Sequence, residues 1–288
     1  MAQDTNTPMR IPDLEGGGDV PLPDGFDDQE FVEQVNAMSG LSTGEKPEPP
    51  TMAHPENLTV RLPVPVQHPT QGELREAKVR ELTGEDEEFF AKGRDDNEKI
   101  ALLVERGTVT LDEEEVDLDV IRSMSIGNRD TLMLAIRRAT YGDELDLNLV
   151  CTTCETENNI TVDLATEVEV KEGEPTATVT LRRGGTAVIR WPNSDDESTI
   201  RKAAAKRKHA MNIAEVNTML LGRVLIEVND EGAFGEETAR RLRMPDRRDI
   251  IEHLSREQPG PLFDQIKHQC VECGQTSPVV IGYDELFR

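Results

Sequence analysis

The chain has 288 residues, with 57 acids against 32 Lys and Arg, a net charge of −25, and 36% hydrophobic residues. That length suits two ordinary domains. No run of 18 apolar residues and no apolar stretch behind a basic N-terminus occurs, so neither a transmembrane helix nor a secretory signal is expected, and the setting reads as cytoplasmic. A surface this acidic repels nucleic acid, so DNA or RNA binding is not expected either.

The acidity is uneven along the chain. Residues 1–57 carry 12 acids and two bases, residues 58–170 carry 26 and 12, and residues 171–288 carry 19 and 18. The first 57 residues, with Gly16-Gly17-Gly18 and Pro47-Glu48-Pro49-Pro50, read as an extended arm too polar to bury a core of its own. Within it, Phe31, Val32, Val35 and Met38 fall at helical spacing. Residues 29–38 therefore read either as a transient helix or as a segment that docks on a partner.

A first unit, 58–170, follows. Alternation predicts a strand over 58–66, a turn at Gln71-Gly72 and a second strand ending at 77–80. The acids Glu85, Asp86 and Glu87 come next, where a helix start favours negative charge. Helical periodicity covers 97–107 and 130–141, with Leu132, Ala135, Ile136 and Ala139 on one face. A strand at 145–150 leads into Cys151-x-x-Cys154, and a return strand follows at 160–164.

A second unit, 171–288, then runs through the same order. Strands are predicted at 176–181 and 187–190 around Gly184-Gly185, followed by Asp195, Asp196 and Glu197. Helical stretches at 213–228 and 249–255 precede a strand at 263–269, Cys270-x-x-Cys273 and a return strand at 279–282. Ala-x-x-Arg-x4-acid-Asp-Glu occurs at both 77–87 and 187–197. Arg129-Asp130 and Arg248-Asp249 each stand 21 residues before a first cysteine, counted from the Asp. Between triplet and Arg-Asp the units differ by nine residues, which an insertion near 229–237 or a longer basic helix at 201–209 would supply. That basic run reads as a solvated helix face or as a dock for an acidic surface. In each Arg-Asp pair the Asp is expected to cap a helix start while the Arg reaches a neighbouring carboxylate.

All four cysteines, Cys151, Cys154, Cys270 and Cys273, lie in two Cys-x-x-Cys turns with none left over. Tetrahedral Zn2+ takes four thiolates from two such turns, so one shared structural zinc joining the two units is expected. Two separate sites, one drawing on His268, are the weaker arrangement. A redox pair would sit at a helix start, whereas these turns lie between strands and Glu155 and Glu157 flank the first. Acid runs such as Glu113, Glu114 and Glu115 read as solvated faces rather than Mg2+ or Ca2+ sites. No His spacing or phosphate-binding glycine loop suggests catalysis, and a closed four-thiolate site leaves no position for water. The chain is therefore not expected to be an enzyme.

Three phrases carry a family resemblance: 77–87 (Ala-Lys-Val-Arg-Glu-Leu-Thr-Gly-Glu-Asp-Glu), the run from Met124-Ser-Ile-Gly-Asn-Arg-Asp to Tyr141-Gly142, and the terminal Cys-x-x-Cys-Gly that ends in Leu286-Phe287. With these the chain resembles the T4-type baseplate hub and tail-assembly proteins of contractile-tailed bacteriophages and related injection systems. The resemblance implies a non-enzymatic structural component or assembly factor built around a four-cysteine zinc cluster. It implies a place in the virion tail baseplate, assembled in the host cytoplasm, among other tail and baseplate subunits in multiple copies, with the arm docking on neighbours. A cellular zinc-ribbon adaptor that binds a protein partner is the alternative. The expected fold is α+β: two duplicated units of β-hairpin, helices and CxxC hairpin, joined at a shared zinc, with an extended N-terminal arm.

Overall fold

Two four-stranded antiparallel meanders set the architecture of this computed structural model, which describes residues 57–287 apart from 69–71, 117, 183, 208 and 280. Residues 1–56, with the stretch at 29–38, and the turn residue Gln71 lie outside the described residues. The first meander contains β1 (Leu58–His68), β2 (Gly72–Val79), β3 (Thr108–Leu111) and β4 (Glu114–Glu115), paired in that order. Between β2 and β3 come α1 (Gly84–Phe90) and α2 (Asp96–Gly107). After β4 come α3 (Leu118–Ser123), α4 (Ile126–Tyr141) and a two-stranded hairpin of β5 (Glu144–Val150) and β6 (Glu157–Asp163).

From β7 (Val170–Lys171) onward the order recurs. The second meander is β8 (Thr176–Thr180), β9 (Thr186–Arg190), β10 (Leu225–Val228) and β11 (Glu231–Gly232). Helices α5 (Ser194–Ala205) and α6 (Ile213–Val224) precede β10. α7 (Gly235–Arg241) and α8 (Met244–Glu257) follow β11, then β12 (Gly260–Pro261), which pairs with β7. A 3-10 turn at Phe263–Gln265, the hairpin of β13 (Lys267–Gln269) and β14 (Thr276–Pro278), and α9 (Tyr283–Leu286) complete the chain. The class is mixed helix and sheet, α+β.

The two meanders share their turns and their buried charges. Asp112 and Glu113 have positive φ between β3 and β4, and so do Asn229 and Asp230 between β10 and β11. The short polar side chains of Asp112, Asn229 and Asp230 tolerate the left-handed conformation that tight hairpins require. Asp86, in the first turn of α1, accepts two hydrogen bonds from Arg80 at 2.8 Å and one from Arg106 at 3.1 Å. Asp196, in the first turn of α5, accepts from Arg190 at 2.7 and 2.9 Å and from Arg223 at 2.6 Å. Each Asp also accepts from the backbone N–H of the helix N-cap, Thr83 or Asn193. Burial alone would raise these carboxyls, but the arginine and backbone donors outweigh it and hold both below the usual aspartate value, Asp86 at about 2. The repeated Arg-x4-acid-Asp-Glu phrase thus encodes a hydrogen-bonded ion pair that ties a strand end to the next helix. The basic partner supplied later in the chain, Arg106 or Arg223, is not marked by that phrase.

Sequence periodicity misplaces three elements. The helix expected over 213–228 stops at Val224, because Leu225–Val228 pairs with β9 and the chain turns at Asn229-Asp230. The strand expected over 263–269 is a 3-10 turn followed by three strand residues, and the return strand lies at Thr276–Pro278 rather than 279–282. Val279 and Ile281 instead enter a core. Seven of the nine residues that separate the halves fall between Asp196 and Asn229 (33 positions against 26 from Asp86 to Asp112). They extend α5, of 12 residues against seven in α1, and its link to α6.

Two apolar cores are formed, and the chain exchanges residues between them. The first gathers β1–β3, α2 and α4 (Leu62, Leu103, Leu132, Ile136) and also Ile266, Val279, Ile281 and Leu286 from the last 25 residues. The second gathers β8–β10 and α6–α8 (Ile189, Leu221, Ile250) and also Val64 of β1. The described residues from 57 onward accordingly form one compact unit. Helix α4 is buried along most of its length, from Gly127 to Arg137. Its Asn128 accepts from the Val64 N–H at 2.9 Å and donates to the Val64 carbonyl at 2.7 Å. Those backbone groups lie where Pro63 and Pro65 interrupt the ladder, and the register of β1 and β2 shifts between Arg61 and Val66.

Candidate metal centre

The tips of the β5–β6 and β13–β14 hairpins meet. In each, the first cysteine opens a tight turn closed by backbone hydrogen bonds: Glu155 N–H to the Cys151 carbonyl at 2.9 Å, and Gly274 N–H to the Cys270 carbonyl at 3.0 Å. The residue after the second cysteine has positive φ in both, 58° at Glu155 and 70° at Gly274. The cross-pairs are Cys151 Sγ to Cys273 Sγ at 3.7 Å and Cys154 Sγ to Cys270 Sγ at 3.6 Å. All four sulfurs lie within 4.8 Å of one another.

These separations exclude disulfides, whose sulfurs stand about 2.05 Å apart. Four thiolates bonded to one ion at about 2.3 Å span tetrahedral edges of about 3.8 Å, close to both cross-pairs. The four residues could therefore hold a single metal ion. Their protonation fits a shared cluster. The Cys273 and Glu272 backbone N–H groups point at Cys270 and lower its thiol to about 6, and the Cys154 and Thr153 N–H groups lower Cys151. Cys273 receives a backbone hydrogen bond from Gln275, but its contacts to the other three sulfurs outweigh it and push the thiol up to about 12. Crowded sulfurs cannot all ionise unaided, and a cation would remove that conflict.

Other residues brace the hairpins against each other. Buried Asn158 of β6 accepts from the Val271 N–H at 3.0 Å and donates to the Thr156 carbonyl at 2.8 Å, linking one cysteine turn to the other. An asparagine among the polar residues of a strand carries no sequence mark of this role. His268 does not join the sulfurs; it lines an adjoining cavity of about 170 Å³ with Leu149, Val150 and Pro278. The glutamate runs form no metal-type cluster among the described residues.

The two Arg-Asp pairs occupy different surroundings. Ser125, not Asp130, caps α4, its Oγ accepting from the Asn128 N–H at 3.2 Å, because the helix begins four residues before Asp130. Asp130 instead pairs with Arg129 at 2.9 Å. Buried Arg129 continues across to the second half, donating to Glu197 at 2.9 Å and Ser194 Oγ at 3.3 Å. Ile126 N–H to the Pro192 carbonyl at 2.9 Å and Asn193 Nδ2 to the Ser123 carbonyl at 3.2 Å complete this joint. A Cβ at Gly127 would lie 1.8 Å from the Pro259 carbonyl oxygen, so only glycine permits the approach of β12. In the second half Arg248 is exposed, and Asp249 pairs with Arg182 at 2.7 Å.

The sequence pattern of the T4 bacteriophage base plate protein family matches residues 64–288, which is 225 of the 288 residues and takes in the first meander from within β1 onward, the whole second meander and all four cysteines. The chain belongs to that family. No curated protein and no solved structure matches it. Membership gives the baseplate protein a structural role in the virion tail baseplate, with other tail and baseplate subunits as partners. No helix among the described residues is long and apolar enough to cross a membrane.

Proposed function

We propose that this baseplate protein is a non-enzymatic structural component or assembly factor in which one Zn2+, held by Cys151, Cys154, Cys270 and Cys273, fastens two duplicated units. The observation that carries the reading is the convergence of two sulfurs from each half within 4.8 Å. Duplication is supported by the common strand order, the paired positive-φ turns and the matching Arg–Asp–Arg groups at Asp86 and Asp196. The units are 58–170 and 171–288, preceded by the arm 1–57. A four-thiolate Zn2+ has no open coordination position, so its contribution is to folding and not to a reaction. In the assembled tail the metal holds the hairpin tips together, and the surfaces around them meet other baseplate subunits, in several copies.

Metal analysis of the purified full-length protein tests this. About one zinc per chain is expected, and single Cys→Ser changes at 151 and 270 should each lose the whole ion. Two zincs per chain, or a metal-free protein of unchanged stability, would rule out the shared site.

A further inference from the structure

At one end of the second half, α5 and α7 finish where α6 and α8 begin. Arg247 ties the two starts together, donating to the Ala214 carbonyl at 3.2 Å and Thr218 Oγ1 at 2.8 Å. Beside it two large apolar side chains face solvent, Ile213 at 74% and Met244 at 84% exposure. Five arginines fall within 240–248. Arg240 and Arg241 pair with Glu236 and Glu237, and Arg247 is used internally. The guanidinium groups of exposed Arg243 and Arg248 make no side-chain hydrogen bond or salt bridge among the described residues, though Arg248 acts electrostatically on neighbouring Asp249. The starts of α6 and α8 add positive partial charge to the same end. The patch is thus apolar at its centre, with Arg243 and Arg248 as its free cations while Glu215, Glu236, Glu237 and Asp249 nearby are held in salt bridges, on a chain whose net charge is −25.

An occupant of matching chemistry exists in the chain itself. Residues 27–38 place Phe31, Val32, Val35 and Met38 at helical spacing among Asp27, Asp28, Glu30 and Glu33. We propose that the Ile213–Met244 patch of one chain binds this acidic amphipathic segment of a second copy. The apolar face would cover Ile213 and Met244, and the acids would meet Arg243 and Arg248. Eighteen residues separate Met38 from Asn57. Extended, they span about 60 Å, more than the width of a domain this size, about 45 Å from its expected radius of gyration. A segment on such a tether reaches a neighbouring copy. The choice of a second copy rests on the structural role proposed above, since only exchange between chains adds to an assembly.

The test uses the full-length protein with a photoreactive phenylalanine analogue in place of Met244, prepared as a mixture of light and heavy isotope-labelled chains. Mixed-isotope cross-links onto residues 27–38 are expected. Their yield should fall by about fivefold or more in R243E/R248E and in F31D/V35D. It should return when R243E/R248E is combined with D27K/D28K/E30K/E33K. Cross-links within single chains only, cross-links that avoid 27–38, or a yield indifferent to the charge reversals would overturn the proposal. Incorporation into tail particles is a separate measurement, so loss of the structural reading would be distinguishable from loss of this contact.

Discussion

The two halves share a frame and differ in what surrounds it. Asp86 and Asp196 hold matching arginine pairs, and both meanders turn on residues of positive φ. Yet α4 is wrapped on nearly all sides, whereas α8 buries only Asp246, Ile250 and Leu254. Arg129 crosses to the other half, while its counterpart Arg248 faces solvent. Residues that serve the inside of a unit keep their jobs when the unit recurs. Arg129 and Arg248, at the edges of the two halves, do not: one is buried against the other half and one faces solvent.

The largest expected effect treats both halves alike. Removing the proposed metal with a chelator, or changing Cys151 or Cys270 to Ser, should destabilise the protein by several kcal/mol. Hydrogen exchange should show both hairpins loosening together. Loosening of one hairpin alone would mean that the halves hold separate ions.

Next come the paired carboxyls. Asp86→Ala and Asp196→Ala each strand two arginines and should cost about 3–5 kcal/mol in denaturant unfolding. A large difference between the two would show that the shared geometry hides unequal strain. The sign with pH follows from the lowered folded-state value. Asp86 contributes fully above the unfolded aspartate value of about 4, and its contribution is lost as pH falls through about 2. Asp86→Asn should therefore flatten the loss of stability between those values.

The third comparison is asymmetric by design. Arg129→Met leaves Asp130 and Glu197 unpaired at the joint and should cost about 2–4 kcal/mol, while Arg248→Met should stay within about 0.5 kcal/mol. Equal effects on thermal unfolding would remove the distinction between inner and boundary residues. The smallest effect lies at the cysteine turns. Glu155→Gly should stabilise by roughly 1 kcal/mol and Gly274→Ala should destabilise by a similar amount, because only glycine adopts positive φ freely. Melting curves that fail to move in opposite directions would count against strain at Glu155.

Much of this was legible before any coordinates. Strand alternation at 58–66 and 176–181, the acid triplets and the cysteine spacing all report local requirements of the chain. The β3–β4 hairpin was not legible. Thr108–Leu111 follows α2 without a break and is only four residues long, too short for alternation to stand out. β10 was absorbed into a helical pattern for the same reason, since an apolar run of that length suits either period. The partners of Arg129 and Asn158 lie 68 and 113 residues away, beyond what spacing can convey. The convergence of the four cysteines was the most legible part, because two Cys-x-x-Cys turns restrict residue type so narrowly.

The exchange of core residues bears on the order in which the chain folds. Ile266, Val279, Ile281 and Leu286 seal the core that begins at Leu62. During synthesis the first core therefore cannot be completed until residues 266–286 have been made. Domains are usually finished in the order in which they are made. Here the opening strand waits for the closing helix, and such distant contacts slow folding. A chain truncated before Ile266 would therefore be defective in its first half as much as in its second.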